Sequence, residues 1–393
     1  MSTLTQMREI VAMNLRSIPD RLAPSLVIVV GIAGVVAVMV ALLSMSAGLS
    51  ATLGATGRDD QVVVTRGGSN GELSSFLAIG SATLIRQDRA IARGPSGQPL
   101  ASGELIVITE VPRPGQSTGA NVTLRGLGPV GFALRPDFRV MQGRRFRPGV
   151  QELMVGAGAA QEFEGLEVGN TLSFRGSTWT IVGHFSSGDA YDSELWTDVG
   201  TLQGAWDRSG VSSVLAQVGS PAQIDAMKAR LTADPQLDVD VRSQRDFFSG
   251  QSSGLNATIG VLAGIVAVIM AIGATFGALN TMYSAVSART REIGTLRALG
   301  FGAAPVVASV MAEALLLSLA GGVLGAVIAY VVFNGYAVST LGGGFTQVAF
   351  QFAVTPPLVL LGVGLALGIG FVGGLAPGIR AARIPVTEAL RAN

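Results

Sequence analysis

A short, strongly charged segment lies between two long apolar runs near residue 290. Tyr283–Gly302 reads YSAVSARTREIGTLRALGFG and carries Arg289, Glu292 and Arg297 among apolar residues. The planar guanidinium of arginine forms paired hydrogen bonds with carboxylates, which suits such a segment to docking against another protein. Basic residues beside a membrane span also fix the orientation of that span. The residues alone leave both interpretations open.

The chain lacks several residue types and motifs on which catalysis, metal binding or ATP binding often depends. The 393 residues include no cysteine, one histidine and a single lysine, Lys228. A P-loop needs G-x-x-x-x-G-K-[ST], and Lys228 lies in DAMKAR without those glycines. A net charge of +1 gives no basic face for a nucleic acid. We therefore expect no catalytic residue, metal, cofactor or nucleic-acid partner, and no ATP binding through a P-loop in this chain.

Charged residues are absent from long blocks of the sequence. None lies between Arg21 and Arg58 or between Glu313 and Arg380, and Asp246–Arg289 encloses a further block. Because about 20 apolar residues cross a hydrocarbon core, the blocks predict four transmembrane helices. We expect these helices at 22–50, about 255–285, about 305–335 and about 357–378.

The arginines predict the orientation of these helices. They lie in the N-terminal segment 1–21, in the link 286–304 and in the tail 379–393, whereas the connection between the third and fourth helices carries no charge. Positive charge favours the cytoplasmic side. Both termini and the link are therefore expected in the cytoplasm, and residues 51–250 outside. Segment 1–21, with Leu4, Met7 and Val11 at helical spacing, is expected to lie in the membrane interface.

Residues 51–250 have the pattern of a mixed α+β domain inserted between the first two helices. Short β-rich runs alternate with Gly and Pro, and Ser220-Pro221 begins a helix. Thr171–Phe174 and Thr178–Phe185 flank a predicted hairpin turn. The Gly/Ser-rich run 249–254 is expected to be a flexible connection. The acidic run Gly188–Asp198 (GDAYDSELWTD) lacks calcium-loop spacing, which favours a solvated loop over a cation site.

Two motifs resemble those of a known family. The run ARTREIGTLRALGFG is similar to E-R-T-R-E-I-G-x-L-R-A-L-G-A of the FtsX-like permeases, the membrane subunits of MacB-type ABC transporters. Ala288 and Phe301 are mild departures from that pattern. The run from Pro377 to Arg391 resembles the ending of the same family, and the four-helix layout agrees with it.

The resemblance implies partners and a docking surface. Family members are dimers on which two cytoplasmic ATPase subunits dock through the link between the second and third helices. The second permease is another copy of the chain or a paralogue. The ATPases bind ATP and Mg²⁺, and an adaptor or membrane-fusion protein joins some complexes on the outer side. Carried over residue by residue, the docking surface comprises Arg291, Glu292, Gly294, Leu296, Arg297 and Leu299.

Polar and small residues within the predicted helices indicate further roles. Glu313 is a charge inside the third span, close to its cytoplasmic end, and we expect it to bond a neighbouring helix rather than to carry protons. Glycines four residues apart allow helix backbones to approach closely, within or between subunits. The pairs of interest are Gly321 with Gly325 and Gly364 with Gly368.

These observations predict a permease subunit in a bacterial inner membrane. It is expected to couple ATP hydrolysis on a separate ATPase to a conformational change of a periplasmic domain, for export or extraction of a substrate. The main alternative is a mechanotransmission module that activates a periplasmic partner, such as a cell-wall hydrolase, without moving cargo. A third possibility is a sensor or channel that needs no ATPase.

Overall fold

The computed structural model describes residues 22–115, 119–341 and 347–385, and the chain divides into two units. We call them the membrane unit and the outer unit. The membrane unit comprises Met1–Ala47, Ala257–Tyr336 and Phe352–Asn393, and the outer unit comprises Gly48–Asn256 and Ala337–Gln351. The predicted interfacial helix 1–21 and residues 386–393 of the predicted tail lie outside the described residues.

The described helices are numbered in chain order. They are α1 (Leu22–Thr56), α2 (Ile79–Arg86), α3 (Ala157–Glu162), α4 (Val199–Trp206), α5 (Ile224–Ala233), α6 (Gln244–Ala288), α7 (Thr290–Ala298), α8 (Ala303–Phe333) and α9 (Pro356–Arg383). Four of the described helices, α1, α6, α8 and α9, are long and apolar enough to cross a membrane.

The strands are numbered in the same way. They are β1 (Gln61–Arg66), β2 (Leu77–Ala78), β3 (Ala101–Val111), β4 (Ala120–Leu127), β5 (Arg139–Gly143), β6 (Glu152–Gly156), β7 (Thr171–Phe174), β8 (Ser177–Ser186), β9 (Leu195–Asp198), β10 (Gly210–Val211), β11 (Ser213–Gln217), β12 (Val239–Ser243), β13 (Ala337–Leu341) and β14 (Gln347–Gln351).

The membrane unit is held together by small and branched apolar residues. Ile32 and Val36 of α1, Ala329 of α8 and Ala366 of α9 belong to one buried cluster. Helices in lipid gain little from apolar burial as such, so close van der Waals packing between small side chains stabilises this bundle.

A mixed sheet forms the centre of the outer unit. In the described residues its strands follow the order β12-β1-β11-β3-β4-β9-β6-β8-β5, with β7 paired to β8. The predicted β7–β8 hairpin is present, and Arg175 (φ 49°) and Gly176 (φ 78°) both adopt positive φ in its turn. Such a turn matches the natural twist of the two strands. The predicted α+β fold class is confirmed.

Helix α6 contradicts the expectation of a flexible connection at 249–254. The helix begins at Gln244 and runs through this segment without a break. Phe247 and Phe248 in its first turns are buried, and Asn256 Nδ2 donates to Ser50 Oγ of α1 at 2.7 Å. Packing of this kind outweighs the low helix propensity of Gly and Ser.

The connection between α8 and α9 also differs from a plain link. It forms the β13–β14 hairpin, and this hairpin belongs to the outer unit. The backbone N–H of Ala349 donates to Ser193 Oγ at 2.8 Å. The outer unit is therefore continuous in sequence with all four long helices: α1 enters it, α6 leaves it, and α8 and α9 are joined through it.

Candidate coupling link

The charged segment identified from the sequence forms a short helix of its own. Helix α7 spans Thr290–Ala298 directly after α6. Its C-cap residue is Leu299, and the next residue, Gly300, has a φ of +93°, which is favourable for glycine. The N–H of Gly300 bonds the carbonyl of Arg297, and the N–H of Phe301 bonds that of Leu296. This pair of bonds satisfies carbonyls at the helix end and reverses the chain into α8.

A buried ion pair joins the start of this helix to α8. Arg289, the N-cap residue of α7, donates from Nη1 to Glu313 Oε2 at 3.1 Å. The side chains of both residues are 10% exposed or less. Glu292 Oε2 lies 3.6 Å from Arg289 Nε but is largely exposed. Glu313 thus bonds a neighbouring element, in agreement with the sequence-based expectation.

Apolar side chains surround this ion pair. A cavity of about 40 Å³ lies beside it, with walls that include Met282, Val286, Val306 and Val310. Because such walls exclude bulk water, the attraction between the two charges is weakly screened. Arg289 was not among the predicted site residues. The signal available in the sequence was its position between two apolar runs, the second of which carries Glu313 as a possible ion-pair partner.

A second arginine fastens the other end of α7. Arg297 Nη1 donates to the backbone carbonyl of Ile384 at 2.6 Å, and Ile384 is the C-cap residue of α9. Arg297 was predicted to contact a partner protein. The structure shows it bonded within its own chain, and a docking role for it stays a prediction.

The remaining predicted docking residues differ in exposure. Arg291, Glu292 and Leu299 are exposed, and Leu299 is 73% accessible. Leu296 is half-buried beside the cavity, and Gly294 is buried. One side of α7 is therefore occupied by contacts with α8 and α9, while three of the predicted residues remain on the surface.

Comparison with known proteins identifies the family. A family model described as MacB-like periplasmic core domain matches residues 25–234, and one described as FtsX-like permease C-terminal matches residues 264–386. The chain belongs to the MacB-like, FtsX-like family of ABC transporter permeases. It is accordingly a multi-pass membrane protein with an extracytoplasmic domain.

Curated relatives are similar over part of their length. "Macrolide export ATP-binding/permease protein MacB" of Campylobacter fetus is 28% identical over 243 residues, which cover 57% of this chain and 35% of that protein. "Uncharacterized ABC transporter permease YvrN" of Bacillus subtilis is 31% identical over 138 residues, 35% of this chain and 31% of that protein. The chain thus spans about a third of the length of these two relatives.

Comparison with solved structures gives matches of low sequence identity. The periplasmic region of MacB from Actinobacillus actinomycetemcomitans covers 51% of this chain and 92% of its own, with 15% identity and a TM-score of 0.36.

The predicted glycine pairs occupy different surroundings in this permease. A Cβ at Gly321 would lie 2.8 Å from the carbonyl oxygen of Val29, and one at Gly325 would lie 2.5 Å from that of Ala33. These two glycines therefore allow α8 to approach α1. Apart from the flanking residues and the backbone of α9 itself, no described atom lies within 4 Å of a Cβ built at Gly364 or Gly368. A packing role for this second pair stays a prediction.

The acidic run of the permease is not the solvated loop favoured from the sequence. Ala190–Ser193 forms a turn of 3-10 helix in which Tyr191 and Ser193 are buried. Asp192 accepts bonds from Ser186 Oγ and from the N–H groups of Ser187 and Gly188. Within the described residues, no group of three or more His, Cys, Asp or Glu side chains is arranged to hold a metal ion.

Proposed function

We propose that this chain is the permease subunit of an ABC transporter and couples ATP hydrolysis by a separate cytoplasmic ATPase to a conformational change of the outer unit. The observation that supports this is the two-point attachment of α7. Arg289 and Arg297 fasten it to α8 and α9, while Arg291, Glu292 and Leu299 remain exposed. Because α7 is bonded to both α8 and α9, a displacement of its exposed side is transmitted to these two long helices.

ATP hydrolysis can drive this conformational change only if the ATPase binds the two conformations of α7 with different affinities. Each nucleotide state of the ATPase must bind one conformation of α7 more tightly than the other, since a ligand shifts an equilibrium only by that difference. In the proposed complex, two ATPase subunits hold ATP and Mg²⁺ and dock on a pair of permeases, either two copies or a copy with a paralogue. An adaptor or membrane-fusion protein on the outer side completes the assembly.

The proposed setting is a bacterial inner membrane with both termini and α7 in the cytoplasm. The arginines beside the long helices support this orientation. The proposed task is export or extraction of a substrate from the outer side. A reporter enzyme fused at Gly210 is expected to be active outside the cytoplasm, and a cytoplasmic signal at that position would exclude the orientation.

Co-purification of an ATPase tests the central proposal. The full chain, carrying an affinity tag, is purified from its native membrane, and Mg-ATP hydrolysis and any P-loop polypeptide are measured in the eluate. The triple variant Arg291→Ala/Glu292→Ala/Leu299→Ala is expected to lose both. A matched control replaces three exposed residues of the outer unit, Arg208→Ala/Glu164→Ala/Met141→Ala, and is expected to keep both.

The result also separates the rival functions. Equal ATPase recovery with the two triple variants would refute docking on α7 and favour a sensor or channel without an ATPase. An ATPase-dependent complex that moves no cargo in reconstituted vesicles, yet activates an outer partner, would favour mechanotransmission.

A further inference from the structure

The turn Asp189–Glu194, which we name the junction turn, contacts parts of the outer unit that lie far apart in the sequence. Its N-cap is Asp189, whose carboxylate accepts the N–H of Tyr191 at 3.0 Å. Tyr191, Ser193 and Glu194 are each less than 10% exposed. Such burial requires that the polar groups of the turn be bonded, and their partners reveal its position in the fold.

Three contacts of the turn are with the last residue of α1 and with the first turns of α6, which we call the entry points of these two helices. The N–H of Ala190 donates to Oγ1 of Thr56, the last residue of α1, at 3.0 Å. Nε2 of Gln244, the first residue of α6, donates to the Tyr191 hydroxyl at 3.3 Å. The ring of Phe248, one turn further along α6, meets the Tyr191 ring edge-on at 5.9 Å.

The fourth contact reaches the hairpin that joins α8 to α9. Ser193 Oγ accepts the N–H of Ala349 at 2.8 Å. Phe350, the next residue of β14, is buried. The six residues of the junction turn therefore contact segments of the chain that lead into all four long helices.

On its other side, the junction turn is fixed to the sheet by a buried charge network. Glu194 accepts two bonds from Arg125 of β4, at 2.7 and 2.8 Å, and one from Trp196 Nε1 at 2.8 Å. The guanidinium of Arg135 lies 4.4 Å from the Tyr191 ring centroid. Charge-assisted bonds of this kind are strong and directional, which makes the turn a rigid part of the sheet.

We propose that the junction turn couples the entry points of α1 and α6 to the β13–β14 hairpin, with Tyr191 and Ser193 as its positioning residues. A displacement at either helix entry reaches the hairpin, and hence α8 and α9, through this turn. The proposal deepens the proposed function, since it names the part of the outer unit where motion of the long helices is combined.

The proposed coupling can be tested without an ATPase, because it must act in both directions. Coupling between two sites is mutual, so a perturbation at each site must be felt at the other. Tyr191→Phe removes only the hydroxyl that Gln244 bonds, and Ser193→Ala removes only the hydroxyl that Ala349 bonds. Amide hydrogen exchange is measured by mass spectrometry on the full chain in lipid nanodiscs. Thr83→Ala, which removes a hydroxyl from the exposed side of α2, is the control.

Each variant is expected to raise exchange about fivefold at its own contact, the factor that corresponds to one net hydrogen bond. The decisive signal is the distant one. Tyr191→Phe should raise exchange in 347–351, and Ser193→Ala should raise it in 244–250, by about twofold or more. Thr56→Val, which removes the acceptor of Ala190, should act as Tyr191→Phe does.

Purely local changes in the three variants would overturn the proposal, as would distant changes of equal size in Thr83→Ala. Should either Tyr191→Phe or Ser193→Ala fail to fold, Thr56→Val and the remaining variant decide the result. These measurements stand apart from the ATPase co-purification. A permease that shows reciprocal coupling but binds no ATPase would retain this proposal and lose the proposed function.

Discussion

Arg289 and Glu313 are 24 residues apart in the sequence and form a buried ion pair, with Nη1 3.1 Å from Oε2. One charge belongs to the link that was expected to contact a partner protein, and the other belongs to the interior of a long apolar helix. The pair therefore ties the start of α7 to the long helix α8. Removing the Arg289 guanidinium would leave the Glu313 carboxylate buried without this ion pair, which costs more than losing an ion pair on the surface.

Glu313→Ala is expected to lower the free energy of unfolding by about 1.5–3 kcal/mol, because it removes a charged hydrogen bond from the buried Arg289. Thermal unfolding of the full chain in detergent measures the loss. Glu292→Ala is the matched control, since Glu292 is largely exposed and lies 3.6 Å from the same arginine. The exchanged pair Arg289→Glu/Glu313→Arg should recover part of the stability, and no recovery would show that the ion pair is not the cause.

Within α7, a structural role for Arg297 and a docking role for Leu299 can be distinguished by comparing Arg297→Ala with Leu299→Ala. Arg297→Ala removes a charged hydrogen bond to the Ile384 carbonyl and should cost about 1.5–3 kcal/mol of stability. Leu299→Ala, at a site 73% exposed, should change stability by less than about 0.5 kcal/mol yet weaken ATPase recovery. Unfolding and co-purification, measured on both variants, would contradict this assignment if the two effects were reversed.

The sequence predicted the parts of this protein that depend on long or local patterns. Long stretches with few or no charges predicted four long helices, and the alternation around Arg175-Gly176 predicted the β7–β8 hairpin. Both patterns are complete within one stretch of chain. The candidate link was located in the same way, from charges beside an apolar span.

Contacts between distant residues could not be predicted from these patterns. Nothing near Arg297 in the sequence indicates a bond to Ile384, which lies 87 residues away. The acidic run at Gly188–Asp198 was assigned to solvent from its composition, but its burial depends on Arg125 and on the entry points of two helices. Local propensity cannot register such tertiary partners, and it was outweighed at the Gly/Ser-rich start of α6 for the same reason.

Gly325→Leu is expected to destabilise the membrane unit, whereas Gly364→Leu is not. A Cβ at Gly325 would lie 2.5 Å from the Ala33 carbonyl oxygen and 2.9 Å from Val36 Cβ, so α1 and α8 must separate. Overpacking of this kind costs about 1–3 kcal/mol or more. At Gly364, no described atom outside the flanking residues and the backbone of α9 lies within 4 Å of the added Cβ.

Thermal unfolding of both glycine variants, together with their oligomeric state by light scattering, distinguishes the two sites. Gly325→Leu should unfold at a lower temperature in any oligomeric state. Gly364→Leu should keep the unfolding temperature of the single chain, and a change confined to oligomeric state would place Gly364 in a contact between chains. Equal destabilisation by both variants would contradict a close contact between α1 and α8 at Gly325.

The stability of the outer unit is expected to fall as pH rises from about 4 to about 7, because of Asp189. Burial raises the pKa of its carboxyl from 3.8 to about 6, against the opposing hydrogen bond from Ser187 and with the nearby charge of Asp192 adding to the rise. A folded-state pKa above the unfolded value means that the protonated form stabilises the fold. This contribution is complete below about pH 4 and is lost as pH rises through about 6, at a cost of up to roughly 3 kcal/mol.

Asp189→Asn isolates this effect, since asparagine caps a helical turn about as well as aspartate and keeps an acceptor for the Tyr191 N–H. The three tryptophans, Trp179, Trp196 and Trp206, all lie in the outer unit, so their fluorescence reports its unfolding in the full chain. Asp192 and Arg135, the charged groups that act on Asp189, remain in both proteins. The variant should therefore match the wild type near pH 4 and exceed it in stability at pH 7. Stability curves that run parallel across this range would show that Asp189 does not titrate there.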